Sequence, residues 1–138
     1  SDNLKKCGEN ASAPASAFYH IPTDEFVTAS LKGGYEAYGY YTIGVTMPAK
    51  NGDFGTKDSS ISSFSYGGFL DVLKQIGVDS VFSGHDHKNN TSILYEGIRW
   101  TYGLKTGKYD AHTPTELGGT LLTLNGPKIS VRHLYYDE

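Results

Sequence analysis

Cysteine, long apolar runs and clustered charge are all scarce in this sequence. Cys7 is the only cysteine, so no disulfide can form within the chain and a site built from several thiolates is excluded. No apolar run reaches the roughly 18 residues of a membrane-spanning helix, and we expect no membrane segment. The formal net charge is −3 and the lysines and arginines do not cluster, so we expect no nucleic-acid partner. Nothing in the sequence indicates a cellular compartment.

What the sequence does contain fits a single folded domain. The 138 residues are 38% hydrophobic and 20% charged, which is compatible with a globular core. A chain of this length can bury about two-thirds of the surface of its unfolded form. Residues 1–16 are polar and lack helical or strand periodicity, so we expect a loosely ordered polar arm there and a folded domain over residues 17–138.

Two histidines lie one residue apart in the segment Gly84-His85-Asp86-His87, directly after the apolar run Val78 to Phe82. The run predicts a buried strand, and Gly84 allows the chain to turn at its carboxyl end, where α/β sheets usually carry their sites. On an extended backbone, residues i and i+2 face the same side, roughly 6.6 to 7 Å apart. We therefore expect both imidazoles to enter one pocket.

A third histidine also ends a predicted strand. The run Ala17 to Pro22 is apolar and aromatic and is cut off by proline, which predicts a strand that ends near His20. The next stretch, residues 23–60, is rich in glycine and tyrosine, and the glycines argue against regular elements. We expect a long, partly ordered loop here that is either functional or held by a partner.

A helix is predicted between the two strands. Its apolar residues follow the helical spacing i, i+3, i+4 and i+7 over Phe69, Val72, Leu73 and Ile76. We expect serines 62 and 63 to cap its start and Gly77 its end. The order strand, crossover, strand favours a right-handed parallel pairing. That pairing would bring His20 near His85 and His87.

The sequence becomes β-rich after residue 90. Ser92–Tyr95 and Ile98–Tyr102 flank Glu96-Gly97 and predict a hairpin. Leu121–Leu124 and Ile129–Tyr135 flank the turn signal Asn125-Gly126-Pro127-Lys128 and predict a second one. The fold class is therefore α/β.

These motifs together resemble the calcineurin-like metallophosphoesterases, in particular the branch related to purple acid phosphatases. The resemblance rests on Gly84-His85-Asp86-His87 after an apolar strand, on Phe18 to Pro22 with Glu25 shortly after, and on Tyr102-Gly103 with Gly107 downstream. It covers nearly the whole chain from about residue 17 onward. It implies a four-layer α/β-β/α sandwich, of which this chain resembles the C-terminal half.

The resemblance also implies a metal site and an activity. His20 and His85 would bind one metal of a dinuclear centre and His87 the other, with Asn89 and Asn90 hydrogen-bonded to the ligands. Imidazole suits Fe, Mn and Zn, and two metals about 3.5 to 4 Å apart can clamp a phosphate ester and its nucleophile. The implied reaction is hydrolysis of phosphate mono- or diesters.

The sequence departs from the family pattern in its first half. The family opens with Asp-x-His, then Gly-Asp with a bridging carboxylate, then Gly-Asn-His, and none of these occurs in that order here. Asp53 follows a glycine but comes after His20, in the predicted flexible loop. The resemblance therefore implies that the chain supplies three ligands, is inactive alone, and needs an N-terminal half or self-association to cover exposed sheet edges.

A rival hypothesis is a non-catalytic module, a tyrosine-rich and β-rich half-domain whose role is binding or assembly. A cupin and a metal-dependent amidohydrolase also use His-x-His, but the first lacks its glutamate here and the second needs a longer chain. Asp86 is expected to point away from the metals. Surface or structural roles are expected for the remaining candidates, which are His112, His133, Arg99, Lys105 and Lys108.

Overall fold

A computed structural model describes residues 14–32, 42–47 and 49–136 as a mixed α/β fold with many strands and few helices. Its elements in chain order are β1 (Ala15–Phe18), α1 (Asp24–Lys32), β2 (Val45–Thr46), a 3-10 turn (Lys50–Gly52), β3 (Thr56–Lys57), α2 (Phe69–Gln75), β4 (Val78–Ser83), β5 (Ser92–Tyr95), β6 (Ile98–Tyr102), a 3-10 turn (Pro114–Glu116), β7 (Gly118–Asn125) and β8 (Lys128–Tyr135). This content of strands and helices is compatible with half of a phosphoesterase domain. None of the helices in this described part is long and apolar enough to cross a membrane.

A four-stranded sheet with the order β1-β4-β6-β5 forms the centre of the fold. β1 and β6 both pair with β4 in parallel, and β5 pairs with β6 antiparallel. The predicted parallel pairing of the first two strands is therefore confirmed. Phe18 lies opposite Phe82 and Ser83 opposite Tyr102, so the carboxyl ends of three parallel strands meet at one edge.

The first strand differs from its predicted bounds. It begins at Ala15 and ends at Phe18, so Ala15 and Ser16 belong to the sheet and not to the predicted polar arm. Residues 1–13 of that arm lie outside the described residues.

Helix α1 corrects the prediction that residues 23–60 are a loop. This helix contains no glycine. Its first turn carries acidic side chains and its last turn carries Lys32, an arrangement of charges that the helix dipole favours. Phe26 and Ala29 are buried, and the Phe26 ring packs 4.8 Å from that of Tyr102 and 5.6 Å from that of Trp100. The predicted tyrosine-rich part, including Tyr35, Tyr38, Tyr40 and Tyr41, lies outside the described residues.

Asp53 is also ordered, contrary to its assignment to a flexible loop. Its side chain is buried and accepts hydrogen bonds from the Leu94 amide at 2.8 Å and from Arg99 Nη1 at 3.1 Å. Arg99 is thus an ion-pair partner that ties the 50–53 turn to β5 and β6, and not the solvated charge that the sequence suggests.

Helix α2 confirms one predicted boundary and corrects the other. Gly77 follows the helix with a φ of +73°, as expected for a residue that ends a helix in the left-handed region. At the other end the N-cap is Gly68, which makes no side-chain capping bond. The serines predicted to cap the helix bind elsewhere: Ser63 donates to Asp24, and the Ser62 amide donates to Asp86.

Both predicted hairpins are confirmed. The first turns at Glu96 and Gly97, which both have positive φ, the conformation that two-residue hairpin turns of the primed type require. The second, β7 and β8, forms a separate two-stranded sheet with eight paired positions, and its strands are longer than predicted.

His133 joins this hairpin to the segment that follows the histidine motif. Its side chain is buried, its Nε2–H donates to the Asn90 carbonyl at 2.7 Å, and its Nδ1 lies 3.0 Å from Thr120 Oγ1. The Thr120 hydroxyl oxygen accepts a hydrogen bond from the Leu104 backbone N–H. The hydroxyl group donates its own proton to Nδ1 of His133, which is the acceptor nitrogen of a neutral imidazole. The structural role predicted for His133 fits these contacts.

The fold should lose stability in acid through His133. Burial lowers the pKa of its imidazole, and the hydrogen bond to the Asn90 carbonyl only partly offsets this effect. As the pH falls below about 6.5, the His133 imidazole therefore binds a proton in the unfolded chain before it does so in the folded protein. The stability that the neutral imidazole provides above that pH is lost as the pH falls towards the lower pKa of the folded state. Urea unfolding at several pH values should show this loss in the wild type. In His133→Gln that part of the pH slope should vanish, and an unchanged slope would contradict the assignment.

Candidate functional site

His20 and His85 meet at the carboxyl edge of the sheet. The His20 carbonyl accepts hydrogen bonds from the Gly84 amide at 3.0 Å and from Ser83 Oγ at 2.9 Å, which fixes the chain after β1 against the end of β4. The two imidazole rings lie edge to face, with centroids 5.3 Å apart and planes at 88°. A Cβ on Gly84 would lie 3.4 Å from His20 Nδ1, so this glycine is in van der Waals range of the His20 ring. The topology predicted from the sequence thus brings these two rings together.

His87 reaches the site by a different geometry from the predicted one. Strand β4 ends at Ser83 and His85 has a φ of +67°, so the two histidines do not lie on an extended backbone. His87 Nδ1 lies 3.1 Å from the carbonyl oxygen of Ala111, which can only accept a hydrogen bond, so Nδ1 carries the proton. This tautomer leaves Nε2 as the lone-pair donor of the ring.

Two clefts flank the histidines. A mostly apolar cleft of about 440 Å³ contains His20 and is lined by side chains that include Phe18, Phe82 and Leu122. A more polar cleft of about 480 Å³ contains both His85 and His87. The prediction that these two imidazoles share a pocket is confirmed. His20 lines the neighbouring cleft, and its ring packs against that of His85.

The histidines form only part of a metal site. Among residues 14–32, 42–47 and 49–136, no group of three or more His, Cys, Asp or Glu side chains could hold a metal ion. Zinc–imidazole bonds of about 2.0 to 2.1 Å in tetrahedral geometry place two ring centroids about 5 Å apart. The His20–His85 pair fits that spacing. The spacing of the two rings is compatible with two ligands of one metal, and the described residues do not complete either site of a dinuclear centre.

Asp86 points into the protein, away from the histidine side chains that flank it. It is 8% exposed, accepts the Ser62 amide at 3.1 and 3.3 Å, and accepts the Tyr102 hydroxyl at 2.7 Å. Burial first, and the adjacent carboxylate second, raise the pKa of Tyr102 well above its usual range. Lys57 is buried nearby. Burial lowers the pKa of its ammonium group, and the negative charge of the Asp86 carboxylate partly offsets this by raising it. This buried network anchors the segment that carries His85 and His87.

The two asparagines do not play the predicted part. Asn89 Oδ1 accepts the amides of Asp58 and Ser59 at 3.0 and 2.9 Å. The side chain of Asn90 donates a hydrogen bond from Nδ2 to Glu116 at 3.0 Å, and its Oδ1 accepts one from the backbone N–H of Thr56. These bonds hold the 56–59 segment beside the polar cleft rather than orienting a histidine ring. Asp86, bonded to Ser62 and Tyr102, instead anchors the backbone of the histidine segment.

The other candidates lie apart from the histidines. His112 Nδ1 lies 2.8 Å from the Asp110 carbonyl oxygen in an exposed turn, as expected for a surface loop residue. Lys108 lies 6.0 Å from the centre of the Tyr109 ring. Neither residue, nor Lys105, lines the two clefts described above.

Comparison with known proteins gives one distant relation. The chain is 30% identical over 101 residues to the Arabidopsis thaliana protein "Probable inactive purple acid phosphatase 29". The match covers 73% of this chain and 22% of that protein, so the chain spans about a fifth of its length. No protein-family profile and no solved structure matches the chain. The match indicates a distant, partial relation to the metallophosphoesterases.

Proposed function

We propose that this chain supplies histidine ligands to the dinuclear metal centre of a phosphoesterase that hydrolyses phosphate mono- or diesters. His20 and His85 would hold one metal, and His87 would hold the other through Nε2. The observation that carries the proposal is the contact between His20 and His85 at the carboxyl ends of two parallel strands. The partial match to a protein named as a probable inactive purple acid phosphatase supports a phosphoesterase-related origin of the chain and not the hydrolysis itself.

The chain's own residues would position the ligands. Asp86 anchors the backbone between His85 and His87 by accepting bonds from Tyr102 and Ser62. Ala111 holds the His87 ring in the tautomer that offers Nε2. A bound pair of Fe, Mn or Zn ions would supply charge neutralisation for the phosphate and activation of a water nucleophile.

The remaining ligands would come from outside the described residues. The carboxylates that bridge two metals would be supplied by an N-terminal half of the enzyme or by a second copy of the chain. The described surface supports a missing neighbour: β1 is the end strand of the sheet, and Phe18 beside His20 is 64% exposed.

An incomplete centre predicts a specific kinetic result. The isolated chain, supplied with Zn²⁺, Mn²⁺ or Fe²⁺, should hydrolyse 4-nitrophenyl phosphate no faster than the metal alone, because two or three imidazoles do not fix a metal pair. A steady-state assay with the chain and with His87→Ala as the matched control checks this. Appreciable hydrolysis by the chain that disappears in His87→Ala would show instead that its centre is complete.

A non-catalytic binding or assembly module is the second candidate. The absence of a three-ligand cluster within the described ranges favours it. The two functions differ in metal binding: a module needs none, whereas the proposed phosphoesterase role requires that His20 and His85 bind a metal together.

A further inference from the structure

Two Asn-Gly dipeptides lie in turns of this chain, Asn51-Gly52 and Asn125-Gly126. In such a dipeptide the backbone nitrogen of the glycine can attack the side-chain amide carbon of the asparagine, because glycine has no side chain to hinder the approach. A bond from this nitrogen to the amide carbon forms, and the side-chain nitrogen leaves as ammonia with the displaced proton. Water then opens the cyclic imide to aspartate or to isoaspartate. The reaction needs no enzyme, so the surroundings of each turn decide its rate.

Asn125-Gly126 lies at the exposed tip of the β7–β8 hairpin. Residues 123–128 are all exposed, and Gly126 follows the last strand residue with a φ of +58°. Among the hydrogen bonds of the described residues, none uses the Gly126 N–H, so the attacking nitrogen faces water. Attack requires the peptide plane between asparagine and glycine to rotate. Here the rotation disturbs only the last pair of the hairpin, Asn125 with Lys128, where water can replace a lost hydrogen bond.

Asn51-Gly52 is also exposed, but Arg99 holds its backbone. The Asn51 carbonyl oxygen accepts a hydrogen bond from Arg99 Nη2 at 2.6 Å, and the Gly52 carbonyl oxygen accepts one from Nη1 at 3.3 Å. The same guanidinium pairs with the buried carboxylate of Asp53 at 3.1 Å. Rotation of the peptide plane between Asn51 and Gly52 would pull the Asn51 carbonyl away from a charged donor. This turn therefore resists the geometry that the attack requires.

We propose that Asn125 is a site of spontaneous deamidation in the folded protein, whereas Arg99 protects Asn51 from the same reaction. Either product adds one negative charge to the hairpin tip. An aspartate at this position lies opposite Lys128, and opposite charges on directly paired residues attract. Isoaspartate instead adds a methylene to the main chain and interrupts the pairing of the two strands.

Ageing of the wild-type chain in mildly alkaline buffer, followed by protease digestion and mass spectrometry of the two Asn-Gly peptides, tests the proposal. The same incubation in urea gives the rate of each dipeptide without the fold, and each folded-state rate is divided by it. The ratio for Asn125 should exceed the ratio for Asn51 at least about tenfold, because hydrogen bonds to a charged group must break before Asn51 can react. Equal ratios would overturn the protection, and an Asn125 that stays intact while the unfolded chain reacts would overturn the site.

Two variants test the part assigned to Arg99. Arg99→Gln should raise the rate at Asn51 and leave the rate at Asn125 unchanged, with circular dichroism to show that the variant is folded. Lys74→Gln removes a cation whose salt bridge joins Glu96, and it should alter neither rate. A folded Arg99→Gln with an unchanged rate at Asn51 would contradict the protection. The comparison within the wild type decides the proposal even where Arg99→Gln does not fold.

Discussion

Asp86→Ala should lower the free energy of unfolding by about 2 to 4 kcal/mol, because it leaves two hydrogen-bond donors in the protein interior without their acceptor. The substitution leaves the Tyr102 hydroxyl and the Ser62 amide without their acceptor, and it removes the carboxylate near the buried Lys57. Each orphaned group then carries its own desolvation cost. Urea denaturation followed by circular dichroism measures the change.

Two further variants test whether the cost arises from this network. Asp71→Ala removes a carboxylate from the exposed face of α2 and should change stability by less than about 0.5 kcal/mol. Tyr102→Phe removes one donor and leaves the carboxylate bonded to Ser62, so it should cost about 1 kcal/mol. A loss below about 1 kcal/mol for Asp86→Ala would show that the carboxylate does not anchor the histidine segment.

The sheet and its histidines were predictable because their signals are local. An apolar run before Gly84, a helix pattern before it and two turn signals after it are enough to predict the parallel pairing of β1 with β4 and the two hairpins, whereas the pairing of β4 with β6 was not predicted. Parallel strands joined by a crossover place their carboxyl ends together, so the meeting of His20 and His85 follows from topology alone.

Helix α1 could not be read in the same way. Its nine residues contain no glycine, but they precede a glycine-rich stretch and offer few large apolar residues to reveal a face. What stabilises the helix is the packing of Phe26 on Trp100 and Tyr102, which are distant in the sequence. Propensity is a weak guide where tertiary contacts decide the outcome.

The conformation of the histidine motif depends on contacts over similar distances. The positive φ of His85 and the inward direction of Asp86 accompany hydrogen bonds to Ser62 and Tyr102, 24 and 16 residues away. Neither bond leaves a local pattern in the sequence. The expected extended geometry was therefore wrong, although the expected shared pocket of His85 and His87 was right.

Metal binding should depend on His20 and His85 together, because each ring supplies one of two adjacent donors. We expect the wild-type chain to bind Co²⁺, and His20→Ala and His85→Ala each to weaken that binding by at least about a hundredfold, since even indirect contacts to a metal change its affinity 10- to 100-fold. His112→Ala removes a histidine from an exposed turn and should have no effect. His87→Ala should have a smaller effect on this metal than the other two, because its ring faces the second position.

The most direct measurement is an equilibrium titration of the wild type, His20→Ala, His85→Ala and His112→Ala with Co²⁺, followed by the visible absorption of the bound ion. The proposed site predicts a saturable absorption band in the wild type and in His112→Ala that is lost in both His20→Ala and His85→Ala. No band in the wild type, or equal bands in all four proteins, would contradict it.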